Sequence, residues 1–147
     1  MKTINLISNN TETSDALRRY LKYVFDLDRI YITDLNNPYE QRTAYTQARE
    51  SDLLLAEVFG AEKHKVFQFA KAMGKRTLLL FYAGEIEIEE DGPFWIVIPS
   101  ALEILGEKID ELIKKTSPTE NEYKSLEEQF PKLKEKKVHL HPVNEKA

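Results

Sequence analysis

The chain has 147 residues, a length that fits one domain able to bury its own core. Hydrophobic residues make up 41% and charged residues 31%, and a formal net charge of −4 is spread as mixed signs, with no basic stripe of the kind that tracks nucleic acid. Cysteine is absent, which excludes disulfides, thiolate catalysis and cysteine zinc sites and agrees with a reducing, cytoplasmic setting.

Met1 to Ile7 carries one lysine and an apolar run too short for a signal peptide, and no stretch approaches the length of a bilayer span, so no membrane partner is expected. Thr3 to Ile7 is apolar and β-branched and leads into Ser8-Asn9-Asn10-Thr11, a turn and cap cluster, which predicts a strand feeding a helix. Ala16, Leu17, Tyr20, Leu21, Val24 and Phe25 then share one helical face, with Arg18, Arg19 and Lys22 opposite. Arg29 to Thr33 reads as a second strand closed by Asp34-Leu35-Asn36-Asn37-Pro38, and Tyr39 to Glu50 as a polar helix with Ala44, Tyr45 and Ala48 inward. Leu53-Leu54-Leu55-Ala56 is apolar throughout, as a strand covered on both faces requires. Glu62 to Met73 is a helix with Val66, Phe69, Ala70 and Met73 on one side and Gly74 as its stop. Thr77 to Tyr82 is a further apolar strand. The acidic segment 84–93, with Glu85, Glu87 and Glu89 alternating with Ile86 and Ile88, reads either as an edge strand whose charges discourage pairing or as a flap. Phe94 to Ile98 is the last strand, and Ser100 caps a helix whose face is Leu102, Leu105, Ile109, Leu112 and Ile113.

Strands alternating with helices predict an α/β fold: a five-stranded, mostly parallel sheet with helices on both faces, flavodoxin-like or Rossmann-like, over residues 1–116. Residues 117–147 change to mixed Lys and Glu after Ser117-Pro118-Thr119. They are expected to form a loosely attached charged tail, with Tyr123, Leu126 and Phe130 suited to one short helix before Pro131.

Ligands of open α/β sheets bind beyond the carboxyl ends of the strands. That rule selects Ser8, Asn9 and Asn10 after the first strand, Asp34 after the second, Glu57, Phe59 and Gly60 after the third, and Tyr82 and Gly84 after the fourth. Ser8 to Thr11 suit either an anion at a helix start or ordinary capping, and without glycine the backbone is not opened for close phosphate approach. Neither GxGxxG nor GxxxxGK[ST] occurs, so dinucleotide and P-loop cofactors are not expected. Asp34 and Glu57 end neighbouring strands, where carboxylates serve acid–base work or a ribose hydroxyl. A response-regulator receiver needs an acidic pair after its first strand, an aspartate after its third and a lysine after a later one. Asn9-Asn10, Glu57-Val58-Phe59 and Lys75, which precedes its strand, do not supply them. His64, among Glu62, Lys63 and Lys65, reads as a surface residue, and His139 and His141 lack carboxylate partners for a metal, so no metal site is expected.

Ser51-Asp52-Leu53-Leu54-Leu55-Ala56-Glu57-Val58, followed by Ala70-Lys71-Ala72-Met73-Gly74-Lys75 leading into Thr77 to Phe81, resembles the nucleoside 2-deoxyribosyltransferase family with its deoxynucleoside-monophosphate N-glycosidases. The resemblance implies a nucleoside or nucleotide ligand, a glutamate nucleophile that forms a covalent sugar intermediate, and a dimer or larger oligomer. Counting back from Gly74-Lys75 places the nucleophile's position at Val66, which has no nucleophilic atom; the nearest carboxylates are Glu62 and Glu57. The expectation is a divergent, non-catalytic member binding a nucleotide-like ligand or a protein partner at the carboxyl edge of the sheet. The alternatives are a glycosidase or transferase using Glu57 or Glu62 as a relocated carboxylate, and a structural interaction module.

Overall fold

In the computed structural model, residues 2–8, 15, 18–22, 27–34, 41–60, 63–84, 86–98 and 102–134 are described. The strands are β1 (Lys2–Ser8), β2 (Leu27–Asp34), β3 (Leu53–Val58), β4 (Thr77–Tyr82) and β5 (Trp95–Ile98). Residues 18–22 are helical (α1), and α2 (Gln41–Glu50), α3 (Lys63–Met73), α4 (Leu102–Ile113) and α5 (Glu120–Gln129) follow, with a closing 3-10 turn at Pro131–Leu133.

The strands form one sheet in the order β2-β1-β3-β4-β5, and every adjacent pair is parallel. This order reverses direction between β1 and β3, the seam at which doubly wound sheets open a crevice. The middle strands are apolar on both faces because both are covered: Leu53 to Val58 are all buried, as are Leu78 to Phe81. The core joins them to Ile4, Leu6 and Ile7 of β1, Val66, Phe67 and Ala70 of α3, and Leu105 and Ile109 of α4. Gly74, at φ 62°, ends α3 in the left-handed conformation that a side chain would resist.

The tail from residue 117 is not loosely attached as far as Lys134. Tyr123, Leu126 and Leu133 belong to the core at 1%, 2% and 0% exposure. Helix α5 opens with a capping box: Thr119 Oγ1 accepts from the Glu122 amide, and Glu122 Oε1 accepts from the Thr119 amide. Its inner face is fixed to α3 by a Lys71–Glu127 ion pair at 2.7 Å and by Gln68, whose Nε2 donates to Glu127 and to the Leu133 carbonyl. The physical cause lies in the β4-to-β5 connection. Parallel strands are usually joined through a helix, yet residues 83, 84 and 86–94 are irregular apart from single bridges. Tyr123 packs edge-on against Phe67 of α3 and Phe94 beside β5, so α5 covers the sheet where no crossover helix does.

The described part of the acidic segment forms no strand. Ile86 and Ile88 are buried at 5% and 6% while Glu87 and Glu89 are exposed, so the alternation records a covering loop with an inner and an outer side. Gly92 is closely overlain by the Trp95 ring, and Trp95 Nε1 donates to the Glu90 carbonyl, which folds the end of the loop against β5. His64 is not at the surface: it is 7% exposed, one turn before Phe67 on the inner face of α3, and that helical phase outweighs its charged neighbours. His139 and His141 lie outside the described residues. No helix among the described residues is long and apolar enough to cross a membrane.

Candidate functional site

The carboxyl edge of the sheet brings together part of the predicted set. Ser8 ends β1 and pairs in register with Asp34 at the end of β2. Across the β1–β3 seam Ile7 pairs with Ala56, so Ser8 and Glu57 stand side by side at the point where the strand order reverses. Glu57 pairs with Leu80, which sets Tyr82 on the same face, one pleat further along β4. Gly60, at φ 83°, turns the chain out of β3, and its carbonyl accepts from both the Lys63 amide and Lys63 Nζ at 3.2 and 3.0 Å. Asn9, Asn10 and Glu62 lie outside the described residues.

Glu57 is 1% exposed, and Tyr82 Oη donates to its Oε2 at 2.5 Å. Burial, then the hydrogen bond to Glu57 and that residue's negative charge, raise the Tyr82 phenol well above its ordinary value. The phenol is therefore a proton donor held neutral through the physiological range. Phe59 packs edge-on to the Tyr82 ring with centroids 4.8 Å apart, and both rings are half-buried. Glu57 is thus enclosed on its Tyr82 side. Val66, at the position the family resemblance gives to the nucleophile, is 0% exposed inside the core.

Beside this edge, the irregular β4–β5 connection borders a cleft of about 510 Å³, with Ala83, Gly84, Ile88, Glu89, Val97 and Lys132 in its lining. Among the described residues no group of three or more His, Cys, Asp or Glu is placed to hold a metal ion. End-of-strand reasoning found Glu57 and Tyr82 one at a time and missed their bond. It also missed the Lys63 tether, although a lysine three residues beyond a turn glycine is a legible signal.

No family model matches the chain, so the deoxyribosyltransferase resemblance of residues 51–81 has no such match behind it. No curated protein matches it by sequence. Solved structures do share its fold. A CheY-like response-regulator receiver domain from Methanospirillum hungatei JF-1 covers 86% of this chain and 98% of its own length, at 16% identity and a TM-score of 0.54. A signal receiver domain from Vibrio parahaemolyticus covers 77% of this chain and 90% of its own, at 12% identity and a TM-score of 0.54. A CMP N-glycosidase from Clostridium botulinum covers 74% and 99% at 21% identity, with a TM-score of 0.44, too low to argue from. At these identities the likeness is one of architecture: the chain has an α/β fold with a parallel sheet flanked by helices, like the CheY-like flavodoxin fold.

Proposed function

We infer that this protein is a non-catalytic binding domain that takes a nucleoside- or nucleotide-like ligand at the carboxyl edge of its sheet. The observation that carries the reading is the buried Glu57 carboxylate capped by the Tyr82 hydroxyl. A carboxylate so enclosed serves as an acceptor that fixes the edge. Half-buried Phe59 and Tyr82 supply aromatic surface of the kind that bases stack on, and the seam between β1 and β3 is where sheets of this topology accept ligands.

The test has two arms. Incubation with deoxynucleosides and deoxynucleotides, followed by chromatography, is expected to release no base. Release that disappears in Glu57→Gln or Glu62→Gln would establish the glycosidase alternative instead. A thermal-shift screen against nucleosides and nucleotides is expected to raise the melting temperature, with the shift lost in Phe59→Ala. No shift with any of them would favour an interaction module that recognises protein.

A further inference from the structure

Three segments meet at the opposite, amino end of the sheet: residues 51–52 entering β3, 75–76 entering β4, and 116–117 beyond α4. Ser51, Asp52, Lys75, Arg76, Thr116 and Ser117 line a cleft of about 410 Å³ there. The cleft has more room than a bare anion fills.

Its two cations are anchored by backbone from other elements. Lys75 Nζ donates to the Arg49 carbonyl at 3.0 Å, and Arg76 Nε donates to the Lys115 carbonyl. Holding both stems in place lowers the side-chain entropy a ligand must overcome. The remaining ammonium protons and the terminal N–H groups of the guanidinium have no partner among the described residues, and neither have the hydroxyls of Thr116 and Ser117. Both cationic residues are half-buried, which limits screening by solvent. An acceptor is equally fixed: Asp52 Oδ2 accepts the Thr3 amide at 2.8 Å, leaving Oδ1.

We propose that this cleft is a binding site for a phosphate monoester that also carries hydroxyl groups, of sugar-phosphate size. Two cations with donors to spare suit the phosphate. Asp52 repels a bare anion but accepts hydroxyl protons from a ligand that has them. The site lies at the far end of the sheet from Glu57 and is independent of the function proposed above.

The experiment titrates the intact protein with ribose 5-phosphate, inorganic phosphate and ribose by calorimetry and by amide chemical-shift mapping. Ribose 5-phosphate is expected to bind about tenfold more tightly than inorganic phosphate, and ribose not to saturate. Lys75→Gln and Arg76→Gln should each weaken ribose 5-phosphate about tenfold, and Asp52→Asn should narrow its advantage over phosphate. Ser117→Glu, which leaves both anchoring bonds intact, should abolish binding with an unchanged melting temperature. Absence of saturable ribose 5-phosphate binding overturns the proposal, as does affinity indifferent to both Arg76→Gln and Ser117→Glu. Equal affinity for inorganic phosphate overturns the hydroxyl-bearing class.

Discussion

Replacing Tyr82 by phenylalanine removes one oxygen atom and isolates the contact on which the non-catalytic reading depends. The ring and its packing on Phe59 stay, so the change is confined to the donor that Glu57 loses. A hydrogen bond to a charged group contributes about 1.5–3 kcal/mol, and a carboxylate at 1% exposure has little water to replace it. Glu57 has further polar or electrostatic support besides Tyr82, which sets the expected loss toward the lower end of that range. At about 2–4 °C per kcal/mol for a domain of this size, the melting temperature should fall by about 3–12 °C. Glu57→Gln keeps an acceptor and gives up only the charge, so it should cost less, about 0.5–1.5 kcal/mol. Because the two changes strike one bond, the double variant should be less destabilised than the sum by about 1 kcal/mol. Urea denaturation of the four proteins reads this directly, provided the slope of stability against denaturant is shared. A Tyr82→Phe loss under about 0.5 kcal/mol, or strict additivity, would show that Glu57 is not held by Tyr82. Glu57 would then return as a candidate nucleophile.

Two further outcomes follow from the same structure. Tyr123→Ala should cost about 3–5 kcal/mol and free α5, read as rapid amide exchange in residues 120–133; protection as in the parent would mean that α5 is not held by its core contacts. Stability should also fall on the alkaline side: burial raises Tyr123 to about 12, and burial with Glu57 raises Tyr82 further, so both phenols keep protons that the unfolded chain releases above its ordinary value of 10.0. Their contribution is whole below that value and is lost as pH rises past it. The melting temperature should therefore drop between about pH 9 and about pH 11.5, less steeply in the Tyr82→Phe, Tyr123→Phe double variant, and an identical slope in both proteins would refute the assignment.

The middle strands were legible because burial on both faces leaves a signal that needs no partner to interpret: six consecutive buried residues in Leu53 to Val58. Helix α5 was half legible. Thr119 and Glu122 carry the capping-box signature and Tyr123 and Leu126 an apolar stripe, but their Lys- and Glu-rich setting resembles a solvated tail. What decides the matter is the lack of a crossover helix between β4 and β5, which leaves sheet for α5 to cover. His64 shows local charge misleading where helical phase does not. At the site, Glu57 and Tyr82 were each found at a strand end, whereas their bond depends on the pairing of Glu57 with Leu80, a register that no single strand encodes. Lys75 and Arg76 went unread as a pair because the carboxyl-edge rule looks only at the other end of the sheet.

Val66 gives the sharpest test of how far the deoxyribosyltransferase resemblance extends. If the site had merely lost its nucleophile, Val66→Glu would restore it. The position argues otherwise: Val66 is 0% exposed on α3, in a core shared with Phe67 and Ala70. A carboxylate there meets apolar neighbours, must take up a proton or remain unpaired, and should cost about 3–5 kcal/mol. Against a total stability of about 5–15 kcal/mol, that is a lowered melting temperature at best and an unfolded chain at worst. Val66→Ala, which leaves a cavity without a charge, should cost less, about 1–3 kcal/mol, and separates loss of packing from burial of charge. A Val66→Glu protein that melts with the parent and releases base from deoxynucleotides would overturn both the burial argument and the non-catalytic reading. The expected result, a destabilised and inactive variant beside a milder Val66→Ala, would mean that α3 presents packing where the family's helix presents chemistry.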